Sequence, residues 1–184
     1  MIGFLPFTVS YDKDGVRSAA VFYELAASLY SQQTNCAAHL QSLYQRYGFF
    51  HSHQSYFIVN DRTHADAIFA RLRDYQPTGG GYPKQCKHFA IDSVRDVTLG
   101  KDTSSPDGRS ALPTDPSSQM VTFRFANGSV ATLRNSGTEP NLKWYLECFD
   151  AQSAANAEKL VAEMGEAIVS EFIQPEKYGL MAKS

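Results

Sequence analysis

The chain is 184 residues long, 43% hydrophobic and 20% charged, a balance that belongs to folded globular proteins and leaves room for one large domain or two modest ones. A formal net charge of −2 and a pI near 6.2 supply no basic face of the kind that neutralises a nucleic-acid backbone, so a nucleic-acid partner is disfavoured. Cys36, Cys86 and Cys148 are odd in number, far apart and free of any C-x-x-C pair. That pattern argues for reduced thiols in a cytoplasmic protein and against a disulfide framework or a structural zinc site. No stretch is apolar for long enough to span a bilayer, and the N-terminus lacks the basic-then-apolar layout of a signal peptide. No membrane partner is expected.

In chain order, residues 2–9 are short, apolar and β-prone and read as a buried strand. Asp12-Lys13-Asp14-Gly15 punctuates, and residues 16–30 are apolar on nearly every face, the pattern of a buried helix. Thr34 or Asn35 caps a second helix carrying Ala37, Leu40, Leu43, Tyr44 and Tyr47, which Gly48 ends. Residues 55–60 read as a strand, completing a β-α-α-β run that is part of an α/β layer. The spacing places a domain boundary near Asn60 to Arg62, giving a first unit over 1–61 and a second over 62–184.

Thr63, with Asp66 in its first turn, starts a third helix with Ile68, Phe69 and Leu72 on one side; the triple glycine Gly79 to Gly81 breaks it. Phe89, Ile91, Val94 and Val97 mark a strand, and the polar segment 100–118 reads as a mobile excursion. Asn127-Gly128 joins strands at 120–126 and 129–134 and predicts a hairpin with a type I′ turn. Residues 142–149 alternate Leu142, Trp144, Leu146 and Cys148 against Lys143, Tyr145, Glu147 and Phe149. Ser153 caps a last helix whose stripe runs through Ala157, Leu160, Val161, Met164, Ile168 and Phe172. The fold class is therefore α/β plus α+β: a partial α/β layer, then a mostly antiparallel four-stranded sheet covered by helices on one side.

Between two of those strands lies Arg134-Asn135-Ser136-Gly137-Thr138-Glu139-Pro140. A phosphate needs converging backbone N–H groups, short hydroxyl donors and a fixed cationic fork, and this stretch holds all three residue types. Lys143 follows closely and offers a second cation, while Glu139 would orient, since a carboxylate repels a phosphate. Ser, Gly, Thr and Pro are also ordinary turn residues, so on residue types alone the same stretch reads as a plain connection too. Asp12-Lys13-Asp14-Gly15 reads as a turn before a helix, and His51 and His53 share a strand face without a third ligand, as solvated histidines do.

Arg134 to Pro140 followed by Lys143 and Tyr145 resembles the C-terminal phosphate-binding loop, R-x-S-G-T-E-P, of the α-D-phosphohexomutases. Asp12-Lys13-Asp14-Gly15 before an Ala-rich helix is similar to the third domain of that family, and Gln174-Pro175-Glu176-Lys177-Tyr178 resembles the end of its phosphoglucomutase-2 branch, which includes phosphopentomutases and glucose-1,6-bisphosphate synthases. The resemblance covers essentially the whole chain. It implies the end of a third domain followed by a fourth of TBP-like fold, in an enzyme that transfers a phosphoryl group from a phosphoserine to a sugar phosphate. It also implies Mg²⁺ and a glucose 1,6-bisphosphate activator, a phosphate clamp formed by Arg134, Ser136, Gly137, Thr138 and Lys143, and a possible substrate contact at Lys13.

The family's paired glutamates would fall just before Ile2-Gly3, where this chain has Met1. Nor does it carry the family's serine-histidine phosphoacceptor segment or its aspartate-rich metal loop. On the resemblance, the chain is therefore expected to be a C-terminal fragment, about a third of a full enzyme. Such a fragment would bind a sugar phosphate weakly, lack turnover, depend on missing N-terminal domains and self-associate through exposed apolar surface or strand edges. The rival expectation is a non-catalytic binding or interaction module that uses its sheet as a platform.

Overall fold

The computed structural model describes Thr8 and residues 14–137 and 139–182. The expected N-terminal strand, apart from Thr8, lies outside the described residues, as do Lys13 and Thr138. The chain forms two compact units, Met1–Gly48 and Phe49–Ser184.

In the first unit, α1 (Gly15–Ser31) starts at Asp14, whose carboxylate accepts from the Val16 N–H at 2.8 Å. Helix α2 (Cys36–Tyr47) starts at Asn35, whose Oδ1 accepts from Ala38, and ends at Gly48, whose φ of +90° suits a residue without Cβ. The expectation that α1 is buried all round is corrected: only its Leu29 is buried, while Val16, Phe22, Tyr23 and Tyr30 are exposed. Apolar composition reports which surface a helix would bury, not whether anything covers it.

The second unit is built on one sheet with strand order β2-β3-β5-β6-β7-β1-β8, and β4 pairs with β3. The strands are β1 (Phe49–Ile58), β2 (Gln85–Cys86), β3 (Phe89–Asp96), β4 (Lys101–Asp102), β5 (Met120–Phe125), β6 (Val130–Asn135), β7 (Asn141–Asp150) and β8 (Met181–Ala182). Every pairing among them is antiparallel. The expected four strands are the long central ones β3, β5, β6 and β7. The fifth long strand, β1, was expected in the α/β layer. It instead pairs with β7 from Phe49↔Asp150 to Ile58↔Asn141, within the compact unit Phe49–Ser184.

One face of this sheet carries Val94, Val121, Phe123, Ala131, Leu133, Leu142, Trp144 and Leu146, all buried. Helix α3 (Arg62–Arg73) adds Ile68, Phe69 and Leu72 to the same core, and α4 (Ala154–Ala167) adds Val161 and Met164. The start of α3 is set by Asp61, which accepts from Thr63 N–H at 2.9 Å, two residues ahead of the expected cap. Ser153 caps α4 as its sequence predicts, and the helix runs on into a π turn, Ile168–Ile173, that buries Phe172. Arg71 of α3 donates to the carbonyls of Glu171 and Phe172, giving a cation to the end of that helix where backbone acceptors are left over.

Two further expectations are corrected. Residues 100–118 are folded onto β3: Arg95 and Asp102 are register partners joined at 2.6 Å, and Thr103 N–H donates to the Val94 carbonyl. The β5–β6 hairpin closes with Gly128 N–H on the Phe125 carbonyl and Phe125 N–H on Ser129, and only Gly128 (φ +83°) has positive φ. That is a type I turn with a glycine bulge, not a type I′ turn, because Asn127 stays out of the left-handed region.

Candidate functional site

The loop singled out in the sequence joins β6 to β7 at one end of the sheet. Ser136 N–H donates to the Asn141 carbonyl at 2.9 Å, closing the loop on itself, and Asn141 N–H donates to the Glu139 carbonyl at 2.8 Å. Val59, just past β1, donates to the Pro140 carbonyl at 2.7 Å. Asn135 donates to the Gln119 carbonyl at 3.0 Å. The loop is thus held from both neighbouring strands, which fixes its groups without a ligand.

Strand alternation divides the predicted residues between two faces. Arg134 and Lys143 are register partners on the face away from the helices. Arg134 Nη2 donates to the Tyr145 hydroxyl at 3.4 Å, and its guanidinium carbon lies 5.8 Å from the centre of that ring. Lys143 Nζ is 3.2 Å from a Glu139 carboxylate oxygen. Glu139 thus pairs with a cation on the next strand.

Ser136 and Gly137 line a cavity of about 280 Å³, together with Asn60 and Arg62 at the start of α3, and with Asn135 and Glu139. Val59 and Ala65 form its small apolar wall. Arg134 and Lys143 are not among its lining residues. The structure therefore pairs Arg134 with Lys143, and Ser136 with Gly137, but leaves the two pairs on different sides of the loop. Sequence reading missed Tyr145 as the partner of Arg134, and missed Asn60 and Arg62 at the cavity. The Asp61-x-Thr63 capping pattern is the signal that could have placed Arg62 at a helix start; Thr63 hydrogen bonds hold the Asp61 carboxyl below its usual range.

Among the described residues, no group of three or more His, Cys, Asp or Glu side chains could hold a metal ion. The donor set present does not fit Mg²⁺, which takes its ligands from carboxylates, phosphates and water. His53 instead stacks on Trp144, with ring centres 4.8 Å apart and planes 10° apart. No described helix is long and apolar enough to cross a membrane, and all three cysteines are free thiols.

The unit Phe49–Ser184 is thus a mixed α/β fold with an antiparallel sheet, helices on one face and this loop at its end. Residues 86–164 match the family described as phosphoglucomutase/phosphomannomutase, C-terminal domain. It is 41% identical over 186 residues to phosphopentomutase from Homo sapiens, matching 100% of this chain and 30% of that protein. It is 42% identical, with the same coverage, to glucose 1,6-bisphosphate synthase from Homo sapiens. The open form of the Paramecium phosphoglucomutase pp63/parafusin aligns at a TM-score of 0.48 and 19% identity, over 85% of this chain and 28% of that one. The chain spans 30% of the length of these curated relatives.

Proposed function

We propose that the unit Phe49–Ser184 is the phosphate clamp of a phosphopentomutase- or phosphoglucomutase-type enzyme, and that Met1–Gly48 is the end of the α/β domain before it. The observation that carries this reading is the cross-strand pairing of Arg134 with Lys143 beside a loop of the R-x-S-G-T-E-P type. A sugar phosphate brings a dianion, and two cations on adjacent strands neutralise it while the guanidinium sets its orientation. Ser136, Gly137 and Thr138 join the clamp by resemblance, with Ser136 and Gly137 across the loop from Arg134 and the Ser136 N–H held by the Asn141 carbonyl. The Lys143–Glu139 ion pair is half exposed, so it holds Lys143 in position at a cost to exchange of about 0–1 kcal/mol, which an incoming phosphate readily exceeds.

The clamped phosphate is not the one transferred. Fixing it orients the sugar, and orientation with charge neutralisation is most of what phosphoryl transfer asks of a protein. Phosphoserine, Mg²⁺ and glucose 1,6-bisphosphate would act with residues other than those described, with Lys13 as a further substrate contact. The 184-residue chain by itself is therefore a binder without turnover. Its free thiols suit a cytoplasmic protein.

The test is calorimetric titration of the chain with inorganic phosphate and ribose 5-phosphate, beside a coupled mutase assay. Binding that is lost in Arg134→Ala, with no turnover, is the expected result. Turnover by the purified chain would overturn the binder reading, and unchanged binding in Arg134→Ala would overturn the clamp.

A further inference from the structure

The cavity on the helix side of the loop has a different chemistry from the Arg134–Lys143 face. A phosphate site is rich in donors, because every phosphate oxygen accepts. This cavity is lined by residues of both kinds: Asn60, Asn135, Ser136 and Arg62, with Asn141 and Glu139 joined to each other by the Asn141 Nδ2 bond to the Glu139 carboxylate at 3.2 Å. Arg62 uses Nη2 on the Ser117 carbonyl at 3.3 Å, and among the described residues its other N–H donors have no partner. The Asn135 Oδ1 atom is buried and has no hydrogen-bond partner among the described residues. A buried acceptor of this kind is stabilised by a donor brought to it.

Alternating donors and acceptors around a small apolar patch are what a polyol needs, since each sugar hydroxyl both gives and accepts a hydrogen bond. At about 280 Å³ the cavity lies just below the range of pockets for drug-sized ligands, which begins at about 300 Å³, and so has the scale of a single sugar. Its apolar wall, Val59 and Ala65, offers contact for the C–H groups of a ring.

We infer that this cavity is a sugar-hydroxyl subsite: Asn135 Oδ1 accepts from one hydroxyl of the bound sugar phosphate, Arg62 donates to another, and the phosphate lies across the loop at Arg134 and Lys143. Asn135 and Arg62 are thus specificity-determining residues of the proposed clamp, and the inference rests on that proposal. It gives the loop two readings at once, anion on one side and hydroxyls on the other. The intervening Ser136–Gly137 backbone belongs to both.

The experiment compares inorganic phosphate with ribose 5-phosphate as probes for the whole chain and for Asn135→Leu, Arg62→Met and Arg134→Ala. The chain should bind ribose 5-phosphate about tenfold more tightly than phosphate. Asn135→Leu and Arg62→Met should each erase most of that preference and leave phosphate affinity within about twofold. Arg134→Ala should weaken both probes. Arg62 is exposed, so its variant keeps the test open if Asn135→Leu does not fold, which thermal melting checks. Equal affinity of the unmodified chain for the two probes, or variants that weaken both alike, would overturn the subsite and leave the clamp standing. Failure of the unmodified chain to bind either probe would overturn the clamp and the subsite with it.

Discussion

Arg134 on β6 and Lys143 on β7 are register partners, so two cations stand on adjacent strands, one resting on the Tyr145 ring and the other held 3.2 Å from Glu139. Like charges facing each other across a ladder are destabilising unless something offsets them. Here a ring quadrupole and a carboxylate do so, and in the proposed clamp an anion would take over that part. Arg134→Ala should therefore weaken phosphate binding by about tenfold or more, the equivalent of a charge-assisted hydrogen bond of about 1.5–3 kcal/mol. Lys143→Ala should weaken it less, because a flexible ammonium presents no planar fork. Glu139→Gln should tighten inorganic phosphate by about twofold to fivefold at low salt, an effect that added salt should abolish. Titration calorimetry at two ionic strengths reads all three.

Acid should loosen the segment that follows β4. Burial pushes the Asp102 carboxyl up, but hydrogen bonds from Ser104 and from Arg95 outweigh it and bring it down to about 2. The folded value lies below the ordinary 3.8, so the fold favours the carboxylate. Its contribution is complete above about pH 4 and is lost as pH falls through about 2. Urea denaturation should show Asp102→Asn less stable than the unmodified chain by about 1–2 kcal/mol near neutrality, with the gap closing toward pH 2.

The parts of this fold legible in the sequence are those fixed by local chemistry. Asn35 and Ser153 are short acceptors ahead of periodic apolar runs, and both cap helices. The alternation from Leu142 to Phe149 gives the faces of β7, and with them the placement of Lys143 opposite the core. What stayed hidden depended on distant partners. Nothing local in Phe49–Ile58 says that it pairs with β7, and Gly100 to Ser118 looks mobile until Arg95 and Asp102 meet across β3 and β4. The division of the loop between two faces was legible in principle. Arg134 and Asn135 are consecutive in a strand and must point opposite ways. Arg62 reaches the cavity only through tertiary packing of α3.

The buried carboxylate of Asp96 joins α3 to β3. It receives Arg73 Nε at 2.6 Å, the Tyr82 hydroxyl at 2.9 Å and Leu99 N–H at 3.2 Å, and is 0% exposed. Burial, then the charge of Asp96, pushes the Tyr82 hydroxyl up, so it stays a donor. Asp96→Ala leaves the part-buried Arg73 guanidinium unpaired and should cost about 3 kcal/mol. Adding Arg73→Met removes that orphan charge and should recover part of the loss. Chemical denaturation of the single and double variants checks the sign of the recovery; a double variant less stable than Asp96→Ala would show that Arg73 stabilises the helix without its partner.

Thiol reactivity should separate the two units. Burial, with the charge of Glu171 second, pushes the Cys86 thiol up to about 12, and burial raises Cys148 as well. Both are 0% exposed, whereas Cys36 is half-buried in α2. The thiolate is the reacting form, so Cys86 and Cys148 are screened twice, by access and by protonation. Ellman titration of the native chain at pH 8 should show Cys36 reacting ahead of the other two. Cys36→Ser should abolish that early phase, and denaturant should release the remaining pair together, since both lie in the single core beneath the sheet. A fast second thiol in the Cys36→Ser chain would mean that the core opens at Cys86 or Cys148 under native conditions. Hydrogen exchange along the edge strand β2 and the central strand β7 would then tell which of the two gives way.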